Sequence, residues 1–124
     1  MKIQIELTDK AVLDKLFSMY VKHMQIRTNV LNFISNMVAE LSRNTPVEEL
    51  TPEYFERMRR TFSVLKVRKE SNFSQSECHE LIEAVLQTYI DQSKSGNRPV
   101  VSKFITPDLT KQYQMAKELI EESD

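Results

Sequence analysis

The side chains in this sequence that have chemistry to offer suit contact with a polyanion better than covalent reaction. Arg57, Arg59 and Arg60, followed by Lys66, Arg68 and Lys69, supply cations of the kind that bond phosphate oxygens. Lys2, Gln4 and Glu6 alternate with Ile3, Ile5 and Leu7, so a strand over residues 1–7 turns its polar side chains to one face. In the major groove of DNA such a face reads bases: Gln4 bonds adenine N6 and N7, Lys2 reaches guanine or phosphate, and Glu6 accepts from cytosine N4. Away from nucleic acid, the same residues are solvated faces. Catalysis has less to draw on. Cys78 and His79 are adjacent, about 100° apart on a helix, and cannot work as nucleophile and base. Gly96 is the only glycine, which leaves no phosphate-cradling loop, and one Cys with two separated His residues makes no metal site. Neither an enzyme nor a cofactor, metal or small-molecule ligand is expected.

The elements that must position these groups follow from periodicity. Val12, Leu13, Leu16, Met19, Tyr20 and His23 mark one helix as far as Met24, begun by Thr8 or Asp9. After a polar break at residues 25–29, Val30, Leu31, Ile34, Met37, Val38 and Leu41 mark a second. Strand, helix and helix within about 43 residues match the ribbon-helix-helix fold, an intertwined dimer whose paired strands enter the major groove. That fold sets Arg27, Thr28 and Asn29 at the start of the second helix, where exposed N–H groups favour a DNA phosphate. Thr45-Pro46 and Thr51-Pro52 each pair an N-cap with proline at the first helical position, and the second begins a basic helix carrying Arg57, Arg59 and Arg60. Ser74 and Glu77 form a capping box for the best-specified helix, whose Cys78, Leu81, Ile82, Val85, Leu86, Tyr89 and Ile90 make one apolar stripe. Gly96 falls where a left-handed cap ends that helix, and Thr106-Pro107 starts a last one with an acidic end.

The expected architecture is mostly α. It comprises a ribbon-helix-helix module over residues 1–44 with one short strand per chain, a basic connecting helix over 45–69, and a helical assembly bundle over 70–124. Charge divides along it: residues 1–69 hold 12 Lys+Arg against 8 Asp+Glu, and residues 70–124 hold 5 against 10. The basic half is the half to test for nucleic acid. In 124 residues, modules this small bury enough apolar surface most readily by oligomerising. No apolar run approaches the ~20 residues of a membrane span, and residues 1–7 do not read as a signal peptide, so a cytoplasmic protein is expected.

Residues 68–77, RKESNFSQSE, resemble the TraM family, relaxosome accessory proteins of F-like conjugative plasmids. The family has a similar Arg-Lys-Glu-Ser, a Phe two residues later, then Gln with a hydroxyl residue and Glu. The likeness continues more loosely to Ser95-Gly96-Asn97, a following proline and an acidic final helix, and covers about two-thirds of the chain. It implies an autoregulatory protein that binds double-stranded DNA near the origin of transfer beside the relaxase complex. It also implies a homo-tetramer cored by Leu81, Ile82, Val85, Leu86 and Tyr89, and a conjugative coupling protein as partner. Lys103 falls near a basic position used towards that partner, and Glu121, Glu122 and Asp124 form an acidic end open to it. Residues 45–66 depart from the family in length. Either a helix is added there, or the second ribbon-helix-helix helix is 51–65 and not 28–42. Two other functions fit the same elements: a ribbon-helix-helix repressor or antitoxin, and a helical assembly chaperone without DNA contact.

Overall fold

The computed structural model describes residues 10–122. These form α1 (Lys10–Ser42), a single 3-10 turn (Val47–Glu49), α2 (Pro52–Thr61), α3 (Val64–Glu70), α4 (Gln75–Ser93) and α5 (Thr110–Glu122). No strand occurs among the described residues, and the expected strand over residues 1–7 lies outside them.

The chain does not form the expected ribbon-helix-helix. That fold needs a turn between its two helices, and α1 runs without interruption through residues 25–29. Gln25, Ile26, Arg27, Thr28 and Asn29 include neither glycine nor proline, so each costs a helix only a few tenths of a kcal/mol. Burial of Val30, Ile34 and Val38 on the following turns outweighs that sum, because fully burying one such side chain is worth about 1.5–3 kcal/mol. Residues 51–65 are not a single helix either, since α2 stops at Thr61 and α3 begins afresh at Val64.

Two compact units emerge: Arg27–Phe104, and Met1–Ile26 with Ile105–Asp124. The first draws on parts of all three expected domains. Its core is α4, whose apolar stripe is covered by Val30, Ile34 and Val38 of α1, Leu50 and Phe55 around the start of α2, Val67 of α3 and Phe73. Phe55 stands at the centre, edge-on to Tyr54 at 5.1 Å and tilted against Tyr89 at 5.4 Å between ring centroids. The Tyr89 hydroxyl donates to the Ser35 carbonyl at 3.0 Å and lies 3.2 Å from Ser35 Oγ, so this polar tip in the apolar layer is satisfied.

Two of the expected caps, Thr51 and Ser74, are in place, whereas the 3-10 turn after Thr45 is preceded by Pro46 with no side-chain cap. Thr51 Oγ1 accepts from the Tyr54 N–H at 3.3 Å with Pro52 opening α2, and Ser74 Oγ accepts from the Glu77 N–H at 3.2 Å. The Glu77 carboxylate also lies 3.5 Å from the Arg27 guanidinium, tying the start of α4 to α1. Gly96 has φ +78°, the left-handed conformation that closes α4 through its N–H to the Ser93 carbonyl at 3.2 Å. A Cβ at Gly96 would meet nothing within 4 Å, so only backbone strain opposes substitution. Gly96→Ala is expected to lower stability by about 1 kcal/mol, and Gly96→Asn by less, as read from urea midpoints.

After Gly96 the chain returns as an extended strap. Arg98 donates to the carbonyls of Ser42 at 3.3 Å and Thr45 at 2.6 Å, fastening the strap to the end of α1. Gln92 Oε1 accepts from Val100 N–H at 2.9 Å. Asn32 then takes both backbone groups of Phe104, accepting from its N–H at 2.9 Å and donating to its carbonyl at 3.0 Å. Side-chain amides thus replace the partner strand that an extended segment would otherwise need.

In the second unit, Phe17 of α1 stacks on Tyr113 of α5 at 4.2 Å between centroids, and Leu109 is buried. Helix α5 begins at Thr110, three residues after Pro107, because Asp108 accepts from the Thr110 N–H at 3.0 Å. Hydrogen bonds from the Thr110 backbone and side chain hold the Asp108 carboxyl below its ordinary range. Leu16, Met19 and Tyr20 of α1 and Met115 and Leu119 of α5 remain exposed. No described helix is long and apolar enough to cross a membrane.

Candidate nucleic-acid interface

Helices α2 and α3 both pack on α4, α2 through Phe55 and α3 through Val67. Those two anchors decide which side chains face outward. Residues 57–69, RMRRTFSVLKVRK, contain six Lys or Arg and no Asp or Glu. Arg57 and Arg60 lie one turn apart on α2 and are exposed, as are Lys66, Arg68 and Lys69 on α3. None of these five has a carboxylate partner among the described residues. Arg59 differs, being half-buried and paired with Glu56 on its own helix. Five free cations therefore stand on the solvent-exposed sides of two helices that are each anchored in the core by a buried side chain.

Ser63 sits at the break between α2 and α3 in extended conformation, and the change of direction there alters the helical phase. Leu65, which a continuous helix from Thr51 would bury, is instead 75% exposed. It shares a face of α3 with Arg68 and Lys69, three and four residues on. Together with Ser71, Asn72 and Phe73 these line an open groove of about 350 Å3. Ser71 Oγ donates to the Val67 carbonyl at 3.3 Å and accepts from the Phe73 N–H at 3.4 Å, fixing the turn that carries Asn72. The Asn72 side chain is exposed and has no hydrogen-bond partner among the described residues. Sequence reasoning missed Leu65 and Asn72 as surface groups. The available signal was Ser63, a natural N-cap, in the middle of the supposed helix.

The other expected site residues fall elsewhere. Lys2, Gln4, Glu6 and Asp124 lie outside the described residues, as does the side chain of Glu122. Arg27 is turned to Glu77 at 3.5 Å and Glu80 at 3.2 Å, within one unit. Thr28 is buried, and Asn29 is exposed but mid-helix, so no helix N-terminus exists there to receive a phosphate. Leu81, Ile82, Val85, Leu86 and Tyr89 are all at most 4% exposed, covered by helices of their own chain. Lys103 is exposed on the strap, and Glu121 is exposed on α5. A larger cleft of about 590 Å3 lies between α1 and the strap. Its cations are engaged: Arg43 with Glu40 at 2.9 Å, and Arg98 with the two carbonyls at the end of α1.

Comparison with known proteins adds no relative: no family model, curated protein or solved structure matches the chain.

Proposed function

We propose that this is a cytoplasmic DNA-binding protein that grips the phosphate backbone through the α2–α3 face. The observation that carries the reading is the group of five exposed, unpaired cations, Arg57, Arg60, Lys66, Arg68 and Lys69, on two helices held on α4. Paired surface cations are already neutralised and gain little from a phosphate. Unpaired ones release condensed counterions from DNA when they bind, and that release drives association. The fixed helices lower the ordering cost of presenting them. Within this reading, the likeness of residues 68–77 to the TraM family supports a place in the conjugative relaxosome. DNA near the origin of transfer would be the substrate, and the relaxase complex, coupling protein and further copies of the chain the partners.

Electrophoretic titration of the chain against a duplex tests the proposal. A complex at low salt that dissociates as salt rises is expected, and tighter binding to the origin region than to unrelated duplex supports the relaxosome role. Absence of a complex at any salt overturns DNA binding. A second reading, a helical assembly protein without DNA contact, is favoured by the exposed Leu16, Met19, Tyr20, Met115 and Leu119 of the other unit. It predicts self-association or partner capture that is indifferent to the α2–α3 cations.

A further inference from the structure

Beside α3, the groove lined by Leu65, Arg68, Lys69, Ser71, Asn72 and Phe73 combines features that a phosphate-gripping surface alone does not require. Its volume, about 350 Å3, is at the lower end of the ~300–1,000 Å3 typical of small-ligand sites. Arg68 and Lys69 supply cations at its edge, and Leu65 between them offers a broadly exposed apolar surface. Asn72 adds a free amide, with an acceptor and two donors, on a turn pinned by Ser71. Cations for phosphate, an apolar surface for the base face and an amide for the base edge match the three kinds of contact that a single nucleotide makes.

We propose that this groove holds one unpaired nucleotide, so that the protein prefers DNA carrying an extruded base to a continuous duplex. The inference rests on the DNA-binding reading above and deepens it. A base inside a duplex is stacked on both faces and hydrogen-bonded on its pairing edge, so it cannot enter a lateral groove of this size. A base swung out of the stack can lie on Leu65 and the planar Arg68 guanidinium, with its flanking phosphates at Arg68 and Lys69. The Asn72 amide then faces the base edge. Asparagine pairs bidentately with adenine N6 and N7, which makes adenine the favoured occupant. An anionic membrane is the weaker match, because one exposed leucine supplies far less apolar contact than stable membrane association needs.

Two fluorescent duplexes of one sequence, with and without a single bulged adenine, test the proposal by titration with the full chain. Wild type is expected to bind the bulged duplex about tenfold more tightly, the discrimination of one good amide–base pair. Asn72→Ala should abolish the preference and leave affinity for the continuous duplex unchanged, whereas Arg68→Gln should weaken binding to both. Equal wild-type affinity for the two duplexes overturns the groove assignment while leaving the phosphate grip intact. Binding to neither duplex, with binding to phosphatidylglycerol vesicles instead, overturns the groove assignment and the DNA reading together.

Discussion

Replacing Phe55 by Ala is expected to remove about 3–5 kcal/mol of folding stability, the largest loss expected from truncating to Ala any one of the fully buried side chains described. Phe55 is the largest of the fully buried side chains and is 0% exposed. It links the first turn of α2 to α4, with Tyr54 and Tyr89 closing on its ring. Truncation forfeits both the transfer energy of the ring and the contacts of the cavity lining, since four helices contribute to the core and cannot all collapse inward. Domains of this size are stable by only about 5–15 kcal/mol, so the variant should stand near the edge of folding at 37 °C. Urea denaturation followed by far-ultraviolet circular dichroism reads the effect directly. A loss below about 1 kcal/mol would mean that α2 does not pack on α4 in solution. The consequence reaches the interface, because α2 presents Arg57 and Arg60 only while Phe55 holds its opposite side.

The second large effect concerns binding. Changing Arg57, Arg60, Lys66, Arg68 and Lys69 together to Gln is expected to weaken binding to duplex DNA at 50 mM salt by at least 100-fold, with little effect on folding. Each of these side chains is exposed and lacks a carboxylate partner among the described residues, so its removal strands no buried charge. Substitutions of this kind usually alter stability by less than about 0.5 kcal/mol. Five phosphate contacts contribute a salt dependence of about −4.5 in log K against log salt, and the variant should lose most of it. Arg27→Gln makes the internal contrast. Its guanidinium bridges α1 to Glu77 and Glu80 of α4, so the change should affect stability modestly and leave the salt dependence of binding unaltered. Were the expectation of a phosphate contact at Arg27 correct instead, the slope would become shallower.

How much of this was legible in the sequence depends on how local the signal was. Helix α4 was readable from start to stop, because its cap at Ser74, its apolar stripe and the left-handed turn at Gly96 are all encoded within the segment itself. Thr51-Pro52 was readable for the same reason. What covers the α4 stripe was not readable, since an apolar stripe specifies burial without naming the surface that provides it. The chain's own α1, α2 and α3 provide it, where the family resemblance implied other copies. The polar residues 25–29 looked like a turn, yet without glycine or proline they remain compatible with a helix, and α1 continues. That single misreading generated the ribbon-helix-helix expectation and, with it, the phosphate roles of Arg27, Thr28 and Asn29. The basic run of residues 57–69 was visible at once. Its division at Phe62 and Ser63 was not, and the division is what brings Leu65 to the surface between cations.

The central claim, that α2 and α3 grip DNA phosphates, meets its most direct test in the salt dependence of duplex binding measured side by side for wild type and the five-site Gln variant. A wild-type slope of about −4.5 or steeper that becomes shallower in the variant by about 0.9 for each cation removed is the predicted result. Wild-type binding whose slope is unchanged in the variant, or no binding at low salt by either protein, would contradict the account.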